Sequence, residues 1–311
     1  MENLTLGINI IFPIFFVIFI GYYLKQRNII DASFVSMSTK LVFYIALPAK
    51  LFFDIRNSEV NSIDLKYTMY LLLGITAAYI IVWFFARFFI KDKSKLSAFV
   101  HCAYRSNFIY IGMPIIESIL NEIPMESAII VITFGLTLYN ILAIIVLTFY
   151  NGDKLNPLSF LIKVIKNPMI IAIVAGLVFK SLNIPIYGGI ESGCNLLGKL
   201  STPLSLILIG GSLDFSGGFE DFGTVISCAF IKDALIAMVM IPIGMMMNFS
   251  STQLVVAYVF FATPCAVNCF IMGKQMGSDG ALTSKIVTMS FALSIFTYSI
   301  GISLLRIAGI I

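Results

Sequence analysis

The sequence is poor in the residues that keep a protein in water. Only 12% of its 311 residues are charged, whereas 59% are hydrophobic, and the mean hydropathy is +0.99. A soluble domain carries roughly 25% charged residues, and no stretch of this chain has the composition of a soluble module. The composition therefore excludes a water-soluble globule and predicts a polytopic helical membrane protein.

Residues for metal binding and catalysis are also scarce. A single histidine, His101, leaves no room for a histidine-rich metal site or a histidine-based triad. Nucleotide-binding P-loops and nucleophile–base pairs are missing too, so we predict neither an enzyme nor a cofactor beyond a coupling proton or sodium ion. The five cysteines lie in apolar stretches without a CxxC pair, so we interpret them as small buried residues rather than disulfides or metal ligands. They are Cys102, Cys194, Cys228, Cys265 and Cys269.

Long hydrophobic runs dominate what is present. A membrane-spanning helix needs roughly 20 apolar residues, and the runs between polar loops predict ten spans. The predicted spans cover residues 7–24, 35–54, 67–90, 97–120, 128–149, 168–182, 189–212, 222–247, 252–272 and 286–306.

Lysine and arginine are distributed unequally between the loops of the two sides. Eleven lie in loops of one side, among them Lys25, Arg87 and Lys163, and four lie on the other side, among them Lys66. The positive-inside rule assigns the richer side to the cytoplasm, which puts both termini outside a plasma membrane. The basic loops are therefore interpreted as topology determinants and not as nucleic-acid binding sites.

The longest polar connection, residues 150–167, divides the spans into five and five. Because five is odd, related halves must have opposite orientations in the membrane, as in the inverted repeats of many secondary transporters. The predicted organisation is a first repeat over 1–149, a cytoplasmic linker over 150–167 and a second repeat over 168–311. A shift of 159 positions supports it, since Met113 then falls on Met272.

Spans four and nine are the least lipid-like, and both contain helix-breaking residues near their middle. Broken helices survive in a membrane only where they line a cavity or are buried in protein, and matched breaks in two halves point to a binding site at the midplane. We attribute the break in span four to Gly112 and Pro114, and the break in span nine to Pro264. The candidate substrate-binding residues are Arg105, Ser106, Asn107, Gly112, Pro114, Pro264, Cys265 and Asn268.

The chemistry of these residues favours a small anion. Half-helix N-termini present free N–H groups and a partial positive charge. Asparagine side chains can donate and accept hydrogen bonds, and the guanidinium of Arg105 matches the geometry of a carboxylate.

Five ordered segments resemble the auxin efflux carrier family, which includes plant auxin exporters and bacterial malate or malonate permeases. They are LVFYIALPAKLF (41–52), RSNFIYIGMPI (105–115), NPMIIAIVAGLV (167–178), TPLSLILIGGSL (202–213) and ATPCAVNCFIMGKQMG (262–277). The resemblance runs nearly from end to end and is closest to the short prokaryotic branch.

This resemblance implies ten helices in two inverted five-helix repeats, with a scaffold domain and a transport domain. It implies that broken helices four and nine cross at the substrate site, as in the related bile-acid symporter and sodium/proton antiporter folds. Asn107 matches the family's substrate-contacting asparagine, and Pro264 matches the proline at the crossing. Ser106 departs from the plant branch, which has a proline there. The family also implies a homodimer.

Ionisable residues inside spans are costly and are functional candidates by default. Asp233 is the candidate for a proton- or ion-coupling carboxylate, neutralised by Lys199, Lys50 or Arg105. Lys232 beside it is a further coupling or charge-compensating candidate. A structural ion pair that locks the helices together is the alternative. Lys50 stands where the family pattern suggests an apolar residue.

Together these features predict a secondary carrier of a small organic anion, a carboxylate, that works by alternating access at the crossing of helices four and nine. The alternatives are a sodium-coupled organic-anion symporter of the bile-acid type and a membrane receptor without transport activity. The expected partners are the anion, the lipid bilayer and a second copy of the chain, without nucleic acid.

Overall fold

The computed structural model describes residues 2–57, 64–121, 123–151, 166, 168–213 and 221–311. The predicted linker 150–167 therefore lies mostly outside the described residues. Within the described residues the protein is helical and contains no β-strand, which confirms the prediction of an all-α integral membrane protein.

Fifteen α-helices are seen in the described residues, in the following order. They are α1 (Glu2–Gln26), α2 (Ala32–Leu41), α3 (Leu47–Arg56), α4 (Leu65–Phe89), α5 (Lys93–Tyr104), α6 (Met113–Leu120), α7 (Met125–Ile130), α8 (Leu136–Asn151), α9 (Pro168–Ser181), α10 (Gly188–Ser212), α11 (Phe222–Phe230), α12 (Ile236–Met246), α13 (Ser251–Ala262), α14 (Asn268–Gln275) and α15 (Gly280–Ile307).

Six continuous helical stretches are long and apolar enough to cross a membrane. They are Ala32–Phe53, Leu65–Phe89, Glu126–Tyr150, Gly188–Ser212, Phe222–Met246 and Gly280–Ile307. Shorter apolar helices cover Phe12–Gln26, Phe108–Leu120, Ile170–Ser181 and Ser251–Ala262. Large apolar side chains on the outer faces, such as Phe16, Phe85 and Phe296, are exposed, as expected for a surface in contact with lipid tails.

Short π-helical turns join several of these helices into longer ones. The turn Val42–Ala46 precedes Pro48, and the turn Phe108–Gly112 precedes Pro114. In each case the N–H of the residue before the proline donates to the carbonyl five residues earlier: Leu47 donates to Val42, and Met113 donates to Phe108. The wider π turn accommodates a ring that has no N–H and would clash with an α-helical turn.

The helices pack in two groups. The first group consists of α1, α2, α3, α9 and α10, and the second contains α4, α5, α8 and α11–α15; α1 also packs on α6 and α15. Helices α1 and α10 cross at two glycines: a Cβ on Gly21 would collide with the Ile207 carbonyl, and one on Gly210 would collide with the Ile18 carbonyl. Such close approach of two backbones requires small residues.

Contacts between loops identify which of them share an end of the molecule. The Lys25 ammonium donates to the Leu213 carbonyl (2.9 Å), and Lys95 pairs with Asp221 (2.7 Å), so these loops lie at one end. At the opposite end the Lys66 ammonium donates to the Met247 carbonyl (2.7 Å). This grouping agrees with the sorting of basic residues by side.

Candidate functional site

Two unwound segments cross in the interior of the second group of helices. The first segment, Arg105–Asn107, separates α5 from the π turn Phe108–Gly112, and the second, residues 263–267, separates α13 from α14. Ser106 and Cys265 pair as an isolated antiparallel bridge. The Asn107 N–H donates to the Pro264 carbonyl (3.0 Å), and the Ala266 N–H donates to the Arg105 carbonyl (3.2 Å). The free backbone groups of each segment are thus satisfied by the other, as burial in a membrane protein requires.

The second break lies where the sequence predicts it, and its cause is local. Pro264 has no N–H, and a proline disfavours the helical conformation of the residue before it. Thr263 accordingly is extended, with φ −61° and ψ 136°.

The predicted cause of the first break is wrong. The chain leaves the helix at Arg105, which is extended (φ −84°, ψ 116°), well before Gly112 and Pro114. Those two residues lie inside a continuous helical stretch that starts at Phe108, where the π turn accommodates Pro114. Gly112 permits close packing instead, because a Cβ there would lie 2.9 Å from the Phe108 ring and 3.1 Å from Val259.

Arg105 is 9% exposed, and its guanidinium lies among the side chains of His101, Asn140 and Met272. Nη2 donates to Oδ1 of Asn140 (2.8 Å), whereas Nη1 lies 3.4 Å from Nε2 of His101 and 3.5 Å from Sδ of Met272. Among the described residues, no carboxylate lies within 4 Å of it. The first break therefore carries a buried positive charge without a countercharge in contact.

Two polar side chains at the first break have no hydrogen-bond partner. They are the Ser106 hydroxyl, which lies beside the Tyr139 hydroxyl without bonding to it, and the side-chain nitrogen of Asn107 (Nδ2); both residues are only 4% exposed. An unpaired buried polar group costs about 1–3 kcal/mol. Such groups in a native protein call for an explanation, and a ligand that accepts from both donors would supply one.

The second break is tied to a buried carboxylate. The Cys265 N–H donates to the Ser290 hydroxyl (2.8 Å), which in turn donates to Oδ1 of Asp233 (2.7 Å). Oδ2 of Asp233 has no partner. The neighbouring Lys232 points elsewhere, and its ammonium donates to the Phe261 carbonyl in the last turn of α13 (2.7 Å). Both charged residues thus brace the second break through different helices.

Lys50 and Lys199 lie away from Asp233. The Lys50 ammonium is 3.3 Å from Oε2 of Glu117. It lies at a cleft between the first group of helices and α6 with the π turn before it, while Lys199 is exposed on α10. The cleft is lined by Leu47, Lys50, Ile109, Tyr110, Met113, Pro114, Ser201, Thr202 and Ser205. The lining residue nearest to the crossing along the chain is Ile109, two residues beyond Asn107.

The remaining candidate, Asn268, is exposed at the start of α14. The structure therefore groups Arg105, Ser106, Pro264 and Cys265 with Asn107 at the crossing and leaves Asn268 outside it. Sequence analysis missed Asn140 and Ser290, which hold the two breaks. Nothing in the sequence separates them from other polar residues in apolar helices.

An all-helical membrane protein with two crossing broken helices and unpartnered donors between them has the architecture of a membrane transporter. A family model described as "Membrane transport protein" matches residues 6–158 and 153–302. The chain belongs to this family, the auxin efflux carrier family, as the resemblance implied.

Curated relatives agree with this assignment. The chain is similar to the uncharacterized transporter YfdV of Escherichia coli K12, with 23% identity over 304 residues that cover 95% of each chain. The YfdV proteins of Escherichia coli O157:H7 and Shigella flexneri match to the same extent. The protein is therefore a multi-pass membrane transporter.

Proposed function

We propose that the protein is a secondary carrier of a small organic anion, with its binding site at the crossing of the two breaks. The observation that carries this proposal is the pair of buried, unpartnered donors, the Ser106 hydroxyl and the side-chain nitrogen of Asn107 (Nδ2). A carboxylate can accept from both, and the adjacent Arg105 guanidinium supplies the positive charge that such a ligand needs.

Alternating access would come from movement of one group of helices against the other. On this proposal the ten predicted spans form two inverted repeats, and the group α1, α2, α3, α9 and α10 is the scaffold. The two residues of the bridge support the repeat, because Ser106 and Cys265 are 159 positions apart, which is the shift that relates the two halves. The cleft beside Lys50 lies between the first group of helices and α6 with the π turn before it.

The cleft favours an anion with a second negative group. Lys50 now contacts Glu117 at 3.3 Å, and the Lys50 side chain is only 18% exposed. A substrate carboxylate could replace Glu117 as its partner while a first carboxylate occupies the crossing. The hydroxyl groups of Ser201 and Ser205 already donate to carbonyls of their own helix, so Lys50 is the residue that would select a dicarboxylate.

Asp233 is the proposed coupling group. Its Oδ1 is connected to the second break through Ser290, and its Oδ2 is free to carry a proton or to contact a cation. The charged and titratable groups that interact with it electrostatically are Lys232 on the same π turn (Ile231–Leu235), Tyr258 on α13 and Tyr298 on α15, with Cys228 on α11. A change of charge at Asp233 would act on the crossing through one hydroxyl.

Orientation follows from the charged loops. The end that carries Lys25 and Lys95 is proposed to face the cytoplasm of a cell whose plasma membrane holds the protein, with both termini outside.

The proposal is tested by thermal unfolding of the purified protein in detergent with mono- and dicarboxylates, with and without sodium, at two pH values. A ligand at 100 times its dissociation constant stabilises a protein by about 2.7 kcal/mol. We expect dicarboxylates to increase the Tm of the unmodified protein but not that of Asn107→Ala. Asn195 is an exposed asparagine on α10, and the control variant Asn195→Ala should show the same increase as the unmodified protein. If no carboxylate raises Tm, or if Asn107→Ala responds like the unmodified protein, the site assignment is wrong.

Substrate class has its own test. Lys50→Met should lower the affinity for dicarboxylates about tenfold or more, because it removes the ion pair at the second carboxylate, and should leave monocarboxylates unaffected. Lys199→Met is the matched control, because Lys199 is an exposed lysine on α10. Equal losses for both classes of anion would contradict a role in selecting dicarboxylates.

Coupling is tested in proteoliposomes. Asp233→Asn should retain substrate exchange and lose accumulation driven by a pH gradient. Accumulation in the unmodified protein that depends on a sodium gradient alone would assign the ion at Asp233 as sodium.

A further inference from the structure

Three of the five cysteines come together beside the crossing. Cys102 lies on α5, Cys265 in the second break and Cys269 on α14, yet their sulfur atoms all lie within 4.8 Å of one another. All three residues are fully buried. Their spacing along the sequence, without a CxxC pair, does not predict this grouping.

We propose that Cys102, Cys265 and Cys269 form a three-thiolate binding site for a soft d10 metal ion, with Cu(I) as the ion that fits best. Thiolates select soft ions such as Cu(I), whereas carboxylate and carbonyl oxygens select Mg²⁺ or Ca²⁺. The group consists of sulfur donors alone, and three of them match the trigonal coordination that Cu(I) adopts. This inference does not depend on the proposed substrate or on transport.

The distances allow such a site with small movements. A metal–thiolate bond is about 2.3 Å long, so three sulfurs in a plane around one ion lie about 4.0 Å apart. Sulfur atoms that are within 4.8 Å of one another need to close by about 0.8 Å at most.

The charge of the complex is partly offset by groups already present. Binding replaces three S–H bonds by three metal–sulfur bonds and releases three protons to solvent, so Cu(I) with three thiolates has a net charge of −2. The buried Lys232 interacts electrostatically with Cys265 and Cys269, and the side chain of His101 contacts Cys269.

A bound ion would connect the two broken helices through side chains as well as through the backbone. At present α5 and the second break are joined by the bonds between Arg105, Asn107 and their partners. Metal–sulfur bonds from Cys102 to Cys265 and Cys269 would fix the same crossing from the other side. A soft metal should therefore stabilise the folded protein.

The experiment is a titration of the purified, full-length protein with Cu(I) in an anaerobic, reducing buffer, in competition with a chromophoric Cu(I) chelator. We expect one Cu(I) per chain. Cys102→Ala and Cys269→Ala should each lower the affinity at least tenfold. Cys228→Ala is the matched control, because Cys228 is also fully buried and donates to the Phe99 carbonyl outside the cluster; it should bind as the unmodified protein does.

Two further measurements keep the proposal falsifiable if a variant folds poorly. The X-ray absorption spectrum of the unmodified protein loaded with Cu(I) should show three sulfur neighbours at about 2.3 Å, and Cu(I) should raise its Tm. Three results would overturn the proposal. Copper binding could survive the loss of Cys102 or Cys269, or the copper ion could have nitrogen or oxygen neighbours. Alternatively, two of the thiols could appear only after reduction, which would show that they had formed a disulfide.

Discussion

The two breaks at the crossing are held in different ways. Pro264 sets the second break locally, and side chains from neighbouring helices then hold it: Ser290 accepts from the Cys265 N–H, and the Thr263 hydroxyl lies 2.6 Å from the Tyr298 hydroxyl. The first break has no proline. It depends on two main-chain bonds to the second break and on the Arg105–Asn140 contact.

This difference divides the site into a fixed half and a receptive half. The second break is hydrogen-bonded to side chains of neighbouring helices. The Ser106 hydroxyl and the side-chain nitrogen of Asn107 in the first break, in contrast, have no hydrogen-bond partner. Because the donors of the first break have no hydrogen-bond partner within the protein, they are available to bind a ligand. Changes in the second break should therefore affect stability, and changes in the first should affect binding.

The largest effect on stability is expected for Ser290→Ala. It leaves the Cys265 N–H and one oxygen of Asp233 without a partner, and we expect a loss of about 2–3 kcal/mol. The measurement is thermal unfolding in detergent. Ser294→Ala is the matched control, because the Ser294 hydroxyl bonds only to a carbonyl of its own helix. Equal losses in both variants would mean that Ser290 does not hold the second break.

Thr263→Val should have a smaller effect of the same kind. It removes the contact with Tyr298, a fully buried residue, and hydrogen bonds between membrane helices contribute about 0.6 kcal/mol on average. We expect a loss of about 1 kcal/mol in the same assay. Thr297→Val, whose hydroxyl bonds within its own helix at 3.4 Å, should change little; a loss as large as that of Thr263→Val would contradict the assignment.

Ser106→Pro tests the first break and should be destabilising. The Ser106 N–H and hydroxyl both face the hydroxyl of Tyr139, a buried residue, and a proline has neither donor. The loss of an engaged N–H outweighs the gain of about 0.4–1 kcal/mol that a proline brings at a compatible position. The variant should therefore weaken anion binding and also lower Tm. An unchanged or higher Tm would show that the Ser106 N–H does not hold the first break.

The smallest effect concerns the start of α4, where Asp64 is the N-cap residue. Asp64 accepts from the Tyr67 N–H and from the Gln253 side chain (2.9 Å), and these bonds lower the pKa of its carboxyl group. Since the folded pKa lies below the unfolded one, the contribution is present above the unfolded pKa of about 3.9 and is lost as the pH falls through the folded pKa. The difference in Tm between the unmodified protein and Asp64→Asn should therefore shrink as the solution is acidified. If the difference in Tm were the same at all pH values, the effect of Asp64→Asn would come from packing and not from the charge of Asp64.

Much of the fold was predictable from local patterns in the sequence. The hydrophobic runs located the helices because apolar length is what a membrane requires. Pro264 located the second break because a proline restricts its own residue and the one before it. Gly112 and Pro114 gave a wrong position for the first break, since a π turn can absorb a proline without ending the helix.

The sequence by itself determined the class of protein, its helices and the second break, because composition and proline act over a few neighbouring residues. Only the tertiary structure decided where the first break lies, since its backbone groups are satisfied by residues about 160 positions away. The same holds for the link from Ser290 to Asp233 and for the three sulfurs around the crossing. Such contacts depend on how distant helices cross, and no local pattern in the chain encodes that crossing.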